Sequence, residues 1–192
     1  MKSNKILFLD TETGGLDPEI NSLLSVGFIV WQEGKILDGI EILINDEVLN
    51  VSEYALKINK INIADHRKNA FKSVDAINKI NEFISKHFSK THHVTLAGHN
   101  VGFDVSFLRK FYEINKISFK DRFSHRYIDT SSIIKFLYLS GVLDIDVSSS
   151  DAAFKYYSIN VEGRHSALGD ATATALLFNN LMREVDKSRK YI

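Results

Sequence analysis

Three apolar runs crowd the first 44 residues: ILFL at 6–9, LLSVGFIVW at 23–31 and KILDGIEILI at 35–44. Runs of this length and composition predict strands, and Glu33-Gly34 between the last two predicts a tight turn, so the chain opens as an antiparallel meander. The rhythm then changes. Residues 52–70 are polar with scattered Ile and Leu and predict one or two short helices. From Ser73, a plausible cap, Val74, Ile77, Ile80 or Asn81, and Ile84 follow helical spacing. Next come a strand at 94–98, a helix at 104–114 with Leu108 and Phe111 inward, a short strand at 126–129, and helices at 130–140 and 166–182. A meander followed by alternating strands and helices predicts an α/β fold on a mixed central sheet flanked by helices.

With 192 residues, no internal repeat, and its one proline, Pro18, in a loop, the chain is expected to form a single domain over 1–192, ending in a short charged tail after Met182. The 24 basic and 24 acidic residues cancel, so any nucleic-acid contact should be short or local. Cysteine is absent, which excludes disulfides and thiolate metal sites. The four-residue apolar run before Asp10 is too short for a signal-peptide core and no later run approaches a membrane span, and a soluble, cytoplasmic protein without membrane contacts is expected.

Acids interrupt this apolar scheme at three places. Asp10 and Glu12 end the first strand two residues apart, so both side chains leave the same face. Like charges that close repel unless a cation lies between them, although a charged turn before Gly14-Gly15 is the simpler alternative. Asp104 lies four residues before Leu108 and seven before Phe111, on the inward stripe of its helix, where a carboxylate is costly unless paired or metal-bound. A first-turn acid favoured by the helix dipole is the alternative there. Asp170 shares a face with Thr174, Leu177 and Leu181 in the last helix, and His165 sits on the loop before it, ahead of a Ser166 cap. A loop imidazole beside a first-turn aspartate is suited to proton transfer, while a lone histidine is more often structural. No Lys or Arg is expected on these faces, although Arg164 and Arg109 are close in sequence. Four inward acids without sulfur ligands point to Mg²⁺ or Mn²⁺ rather than Zn²⁺. Asp129 is expected to cap the helix at 130–140, and His92-His93 to be solvated.

FLDTETGGL, AGHNVGFDVSFL and HSALGDATATALL, in that order, resemble the three motifs of the DEDDh group of 3′→5′ exonucleases, which includes the proofreading subunit of bacterial replicative polymerase and ribonuclease T. The motifs span Leu7 to Met182, and the five-residue spacing from His165 to Asp170 is that of the histidine variety. The resemblance implies an RNase H-like fold in which Asp10, Glu12 and Asp170 ligate one metal ion, Asp10 reaches a second, and Asp104 assists through a water. It further implies His165 as general base and hydrolysis at the 3′ end of single-stranded nucleic acid, DNA slightly ahead of RNA, releasing nucleoside 5′-monophosphates. Polymerase association is possible on this reading but no extension of the chain calls for it. Thr11, Thr13, Gly14, Leu16, Asn100 and Phe103 are candidate contacts to the terminal nucleotide, with turn formation and core packing as alternatives; side-chain-free backbone at Gly14-Gly15 would admit a nucleotide end. The chain departs from the family at Asn59-Lys60-Ile61, where members often carry His-Gly-Ile or Thr-Gly-Ile. Two other classes stay in view. An RNA-trimming exoribonuclease of the same family or a non-cutting nucleic-acid-binding module would share the motifs, and a haloacid-dehalogenase-type phosphatase would also open on a strand ending in Asp-x-acid, though its second acid is normally Asp.

Overall fold

The computed structural model of the chain describes residues 5–46, 48–89 and 93–188. Strands β1 (Lys5–Thr13), β2 (Leu23–Gln32) and β3 (Lys35–Asn45) form the expected meander: β1 pairs antiparallel with β2, and β2 with β3. Two short helices follow, α1 (Glu53–Asn59) and α2 (Ile63–Asn69), then the two-residue β4 (Phe71–Lys72), α3 (Ser73–His87), β5 (Leu96–Gly98) and α4 (Gly102–Ile114). The chain continues with β6 (Ile128–Asp129), α5 (Thr130–Leu139), α6 (Ser150–Tyr156) and α7 (Ala167–Ser188). The sheet order is β4-β3-β2-β1-β5-β6, with β5 parallel to β1 and β6 parallel to β5. The sheet is therefore mixed: the antiparallel β3-β2-β1 meander has parallel strands on both flanks, the two-residue β4 beside β3 and β5-β6 beside β1.

Helices cover β1 on both faces, and its alternation sorts the two cores. Leu7 and Leu9 join Val26, Phe28, Ile42 and Ile44 under Ile77, Ile80 and Ile84 of α3 and Leu108 and Phe111 of α4. Ile6 and Phe8 face the other way, onto Trp31 and onto Ala171, Ala175 and Phe178 of α7. Phe8, Trp31 and Phe178 pack edge-on or tilted at centroid distances of 5.3–6.5 Å. Beyond α7, α5 and α6 close a third cluster of Ile134, Leu137, Phe154, Leu177 and Leu181. Asp10 and Glu12 continue the Ile6–Phe8 row past its last apolar residue, so they point to the side where α7 begins.

Several expectations about elements are corrected. Lys72, not Ser73, holds the cap position of α3, and Val74 is 65% exposed because the buried stripe runs through Ala76, Ile77, Ile80, Phe83 and Ile84. The strand expected at 126–129 shrinks to Ile128–Asp129. The last helix does not stop at Met182: α7 runs to Ser188, with Leu181 buried and Val185 packed on the third cluster, so most of the charged tail is helix. Residues 189–192 and His92 lie outside the described residues; His93 is exposed. Helix α6 is an addition, a seven-residue segment whose buried side chains are Ala153 and Phe154, too few to show a period. No helix among the described residues is long and apolar enough to cross a membrane.

Candidate active site

The end of β1 and the first turn of α7 meet because the helix start is anchored twice. Ser166 caps it, its hydroxyl oxygen accepting from Gly169 N–H at 3.1 Å. Glu41 Oε1 on β3 accepts from Ala167 N–H at 3.1 Å and from the Ser25 hydroxyl at 3.4 Å, tying the helix to the sheet. Asp170 is thereby set over Asp10 and Glu12, and the three carboxylates offer oxygens that all lie within 4.8 Å of one another. Nothing in the sequence marked Glu41, since an acid on an edge strand of a meander reads as solvent-facing.

Asp104 approaches from the other face of the sheet. Buried in the first turn of α4, it accepts the Thr11 hydroxyl at 2.7 Å, a bond across the layer that holds β1 and α4 together at the site. Thr11 is the odd-numbered residue between Asp10 and Glu12, so its side chain leaves toward α4 as theirs leave toward α7.

Packing so many acids in little water makes their ionised forms expensive. Burial first, then the charges of Asp104, Asp170 and Glu12, hold the Asp10 carboxyl well above the usual range, with Arg164 opposing. Glu12 is pushed up to about 8 by burial and by Asp170, Glu41 and Asp104. Asp104 is pushed up to about 7 by burial, against hydrogen bonds from Thr11 and its own backbone. Asp170 is raised by burial, against Arg164 and the His165 N–H. An all-oxygen set that resists ionising when empty suits a hard divalent cation, whose charge removes both the repulsion and the desolvation cost.

The expectation that no basic side chain stands among the acids is overturned. Arg164 Nη1 donates to Asp170 Oδ1 at 2.5 Å, whereas Arg109 is elsewhere, over the Phe119 ring. His165, in a left-handed conformation at φ 70°, has an exposed side chain; its backbone N–H donates to Asp170 Oδ1 at 3.4 Å. Asp129 acts as the expected cap, accepting Ser131 N–H at 2.9 Å, and also accepts Asn100 N–H at 2.9 Å. His99, unremarked in the sequence, lines a small cavity with Asp10, Arg164 and Asp170, its Nε2 meeting the Ser148 carbonyl at 3.0 Å and its Nδ1 the Thr130 hydroxyl at 3.0 Å. Burial keeps that imidazole below its usual pKa.

Beside Glu12 runs a mainly apolar groove of about 450 Å³, lined by Thr11, Glu12, Thr13, Gly15, Leu16 and Phe103 from one wall and Tyr54, Ala55, Ile58 and Asn59 of α1 from the other. Leu16, Tyr54 and Ile58 are 77%, 68% and 58% exposed, a large apolar outlay for side chains with no core to enter. Of the candidate nucleotide contacts, Thr11, Thr13, Leu16 and Phe103 border the groove; Asn100 is exposed and turned to β6 through Asp129. The bare sides of Gly14 and Gly15 face protein: a Cβ would lie 2.2 Å from Asn50 O and 2.4 Å from Asn21 Oδ1. The departing Asn59 is buried and donates to the Thr13 carbonyl at 3.2 Å, and Lys60 beside it closes α1 at a positive φ of 56°. Tyr54 and Ile58 escaped the sequence reading because α1 is too short to show which face it offers.

The chain as a whole is similar to several known proteins. PolC-type DNA polymerase III of Latilactobacillus sakei is 28% identical over 187 residues, covering 96% of this chain, which spans only 12% of the polymerase's length. Ribonuclease T of Wigglesworthia glossinidia brevipalpis is 28% identical over 191 residues, covering 93% of this chain and 85% of that one. Among solved structures, E. coli exonuclease I in complex with a dT13 oligonucleotide superposes with a TM-score of 0.80 at 17% identity, over 98% of this chain and 43% of that chain. The nuclease domain of 3′hExo, a DEDDh family member bound to rAMP, does so at 0.76 and 14% identity, over 95% and 94%. The fold is thus the RNase H-like exonuclease fold, and the family model described as an exonuclease of the RNase T type matches residues 7–178: the chain belongs to that exonuclease family.

Proposed function

We propose that the protein is a divalent-metal-dependent 3′→5′ exonuclease that removes nucleoside 5′-monophosphates from single-stranded nucleic acid, DNA slightly ahead of RNA. The observation that carries this is the convergence of Asp10, Glu12 and Asp170 within 4.8 Å, with Glu12 also lining an apolar groove of about 450 Å³. Asp10, Glu12 and Asp170 would hold one Mg²⁺ or Mn²⁺ and Asp10, with Asp104 helping through water, a second. Bound divalent ions supply an acidified water as nucleophile and charge compensation for the leaving 3′ oxygen.

The chain's own residues do the rest. Leu16, Phe103, Tyr54 and Ile58 offer faces on which the terminal base and sugar can pack, which favours an unpaired end because a stacked, paired base cannot enter between them. Thr11 favours the ionised form of Asp104 against its burial and aims it by donating to its Oδ1. His165, on the loop against Asp170, is the candidate to take the proton from the attacking water once its ring turns inward. The DNA preference draws on the polymerase relatives and on the oligonucleotide bound by E. coli exonuclease I.

The test is digestion of 3′-labelled and 5′-labelled single-stranded DNA and RNA side by side with Mg²⁺ or Mn²⁺. Early release of the 3′ label, a shortening 5′-labelled ladder and faster loss of DNA are expected. RNA consumed faster than DNA would support the trimming reading, which the near-full-length match to ribonuclease T favours. Binding without cleavage would support the non-catalytic module.

A further inference from the structure

Arg164 holds one of the carboxylates proposed to bind metal. Its Nη1 donates to Asp170 Oδ1 at 2.5 Å, its Nη2 to Asp151 Oδ1 of α6 at 3.2 Å, and its guanidinium lies 4.4 Å from the centroid of Phe154, also on α6. Asp10, Asp170 and Arg164 line one small cavity of about 70 Å³, so the guanidinium stands among the carboxylates proposed to hold metal. A guanidinium is always charged and, unlike an ammonium, can hold two carboxylates with separate nitrogens while lying flat on an aromatic ring.

The placement is built into the fold at two further points. A Cβ on Gly169 would lie 2.0 Å from the Gly163 carbonyl oxygen and 3.1 Å from Arg164 N, so the loop can close this tightly on α7 only because residue 169 is glycine. The positive φ of His165 then turns the chain so that Arg164 faces inward while the neighbouring imidazole is exposed.

We propose that Arg164 is an internal counter-ion for the Asp10–Glu12–Asp170 cluster, a competitor that the metal must displace, so that its anchors on α6 set the metal affinity of the site. This rests on the metal reading above. In the metal-free protein Arg164 offsets part of the repulsion among the acids; with metal bound, its hold on Asp170 is released and the segment carrying His165 is free to turn.

Calorimetric titration of the full chain with Mn²⁺ tests it, using wild type, Arg164→Met and Asp151→Asn, with melting curves of each with and without the ion. Arg164→Met keeps an unbranched stem over Phe154 but no charge. It is expected to bind Mn²⁺ roughly threefold to tenfold tighter than wild type, the scale of one or two partly exposed ion pairs. Asp151→Asn, which loosens the anchor without touching the cluster, is expected to bind tighter by a smaller factor. Metal-free Arg164→Met should melt below wild type, and the gap should close in saturating Mn²⁺. Equal or weaker Mn²⁺ affinity in folded Arg164→Met overturns the proposal and leaves the metal site standing. No binding by wild type or either variant overturns the metal reading and this one with it. If Arg164→Met does not fold, Asp151→Asn decides: tighter binding supports the proposal and equal or weaker binding overturns it.

Discussion

Thr11 and the residues on either side of it show how much chemistry a strand end can divide by parity. Asp10 and Glu12 turn toward α7, and Thr11 turns toward α4 to donate its hydroxyl to Asp104. Thr11→Val keeps the shape and deletes the donor, leaving a buried carboxylate short of a partner. A loss of about 1–3 kcal/mol is expected in urea unfolding. Asp10→Ala or Asp170→Ala should abolish metal-dependent hydrolysis in a protein that still folds; turnover near the wild-type rate in either would remove that residue from the metal set. His165→Ala should lower the rate near neutral pH while calorimetric Mn²⁺ binding is unchanged, and undiminished activity would mean another base serves. The period of two made the shared face of Asp10 and Glu12 legible in sequence, and the helical stripe did the same for Asp104 and Asp170. Arg164 was not legible: its direction depends on a left-handed backbone turn and on an aromatic ring supplied by α6.

Helix α7 carries the site because its first turn sits directly on the sheet. At Gly27 of β2 a Cβ would lie 2.2 Å from the Ala167 backbone, so the helix start touches strand backbone with no side chain between. Gly27→Ala must lift that end. It should cost about 1–3 kcal/mol or more in thermal or urea unfolding and weaken Mn²⁺ binding as Asp170 is drawn off Asp10 and Glu12. The strands of the meander and the body of α7 were readable because each is long enough to show its period and has a core to face. Helix α1 was expected within 52–70, but seven residues do not show which face it offers, and α6, equally short, was not expected at all; they are helical because Ser52 caps one and because Phe154 finds a place in the cluster under α7 in the other. These two elements supply the far wall of the groove and the anchors of Arg164, so the least legible helices shape the site most.

Across its acid cluster the fold trades stability for poised carboxylates, while the part-buried His99 imidazole, its pKa lowered by burial, works in the opposite sense. Asp10, Glu12, Asp104 and Asp170 are all easier to protonate folded than unfolded, so the folded chain holds the extra protons between the ordinary carboxylate range near pH 4 and the value of about 8 at Glu12. Stability of the metal-free protein must therefore fall as pH rises through that window, and a melting temperature lower by several degrees at pH 8 than at pH 5 is expected. Mg²⁺ or Mn²⁺ should restore most of the difference, binding more tightly as pH rises because it displaces those protons. A metal-free melting temperature that is flat or rises over this range would contradict the cluster's electrostatics. The sequence by itself determined the meander, the alternation that makes the sheet mixed, and the acids on the inward faces, because each is a matter of local period and spacing. Which acids share one small volume, which cation stands among them without a metal, and what walls the groove were decided only by tertiary structure. Those depend on contacts between elements up to 160 residues apart, such as Asp10 with Asp170, and no local pattern encodes the angle at which two elements meet.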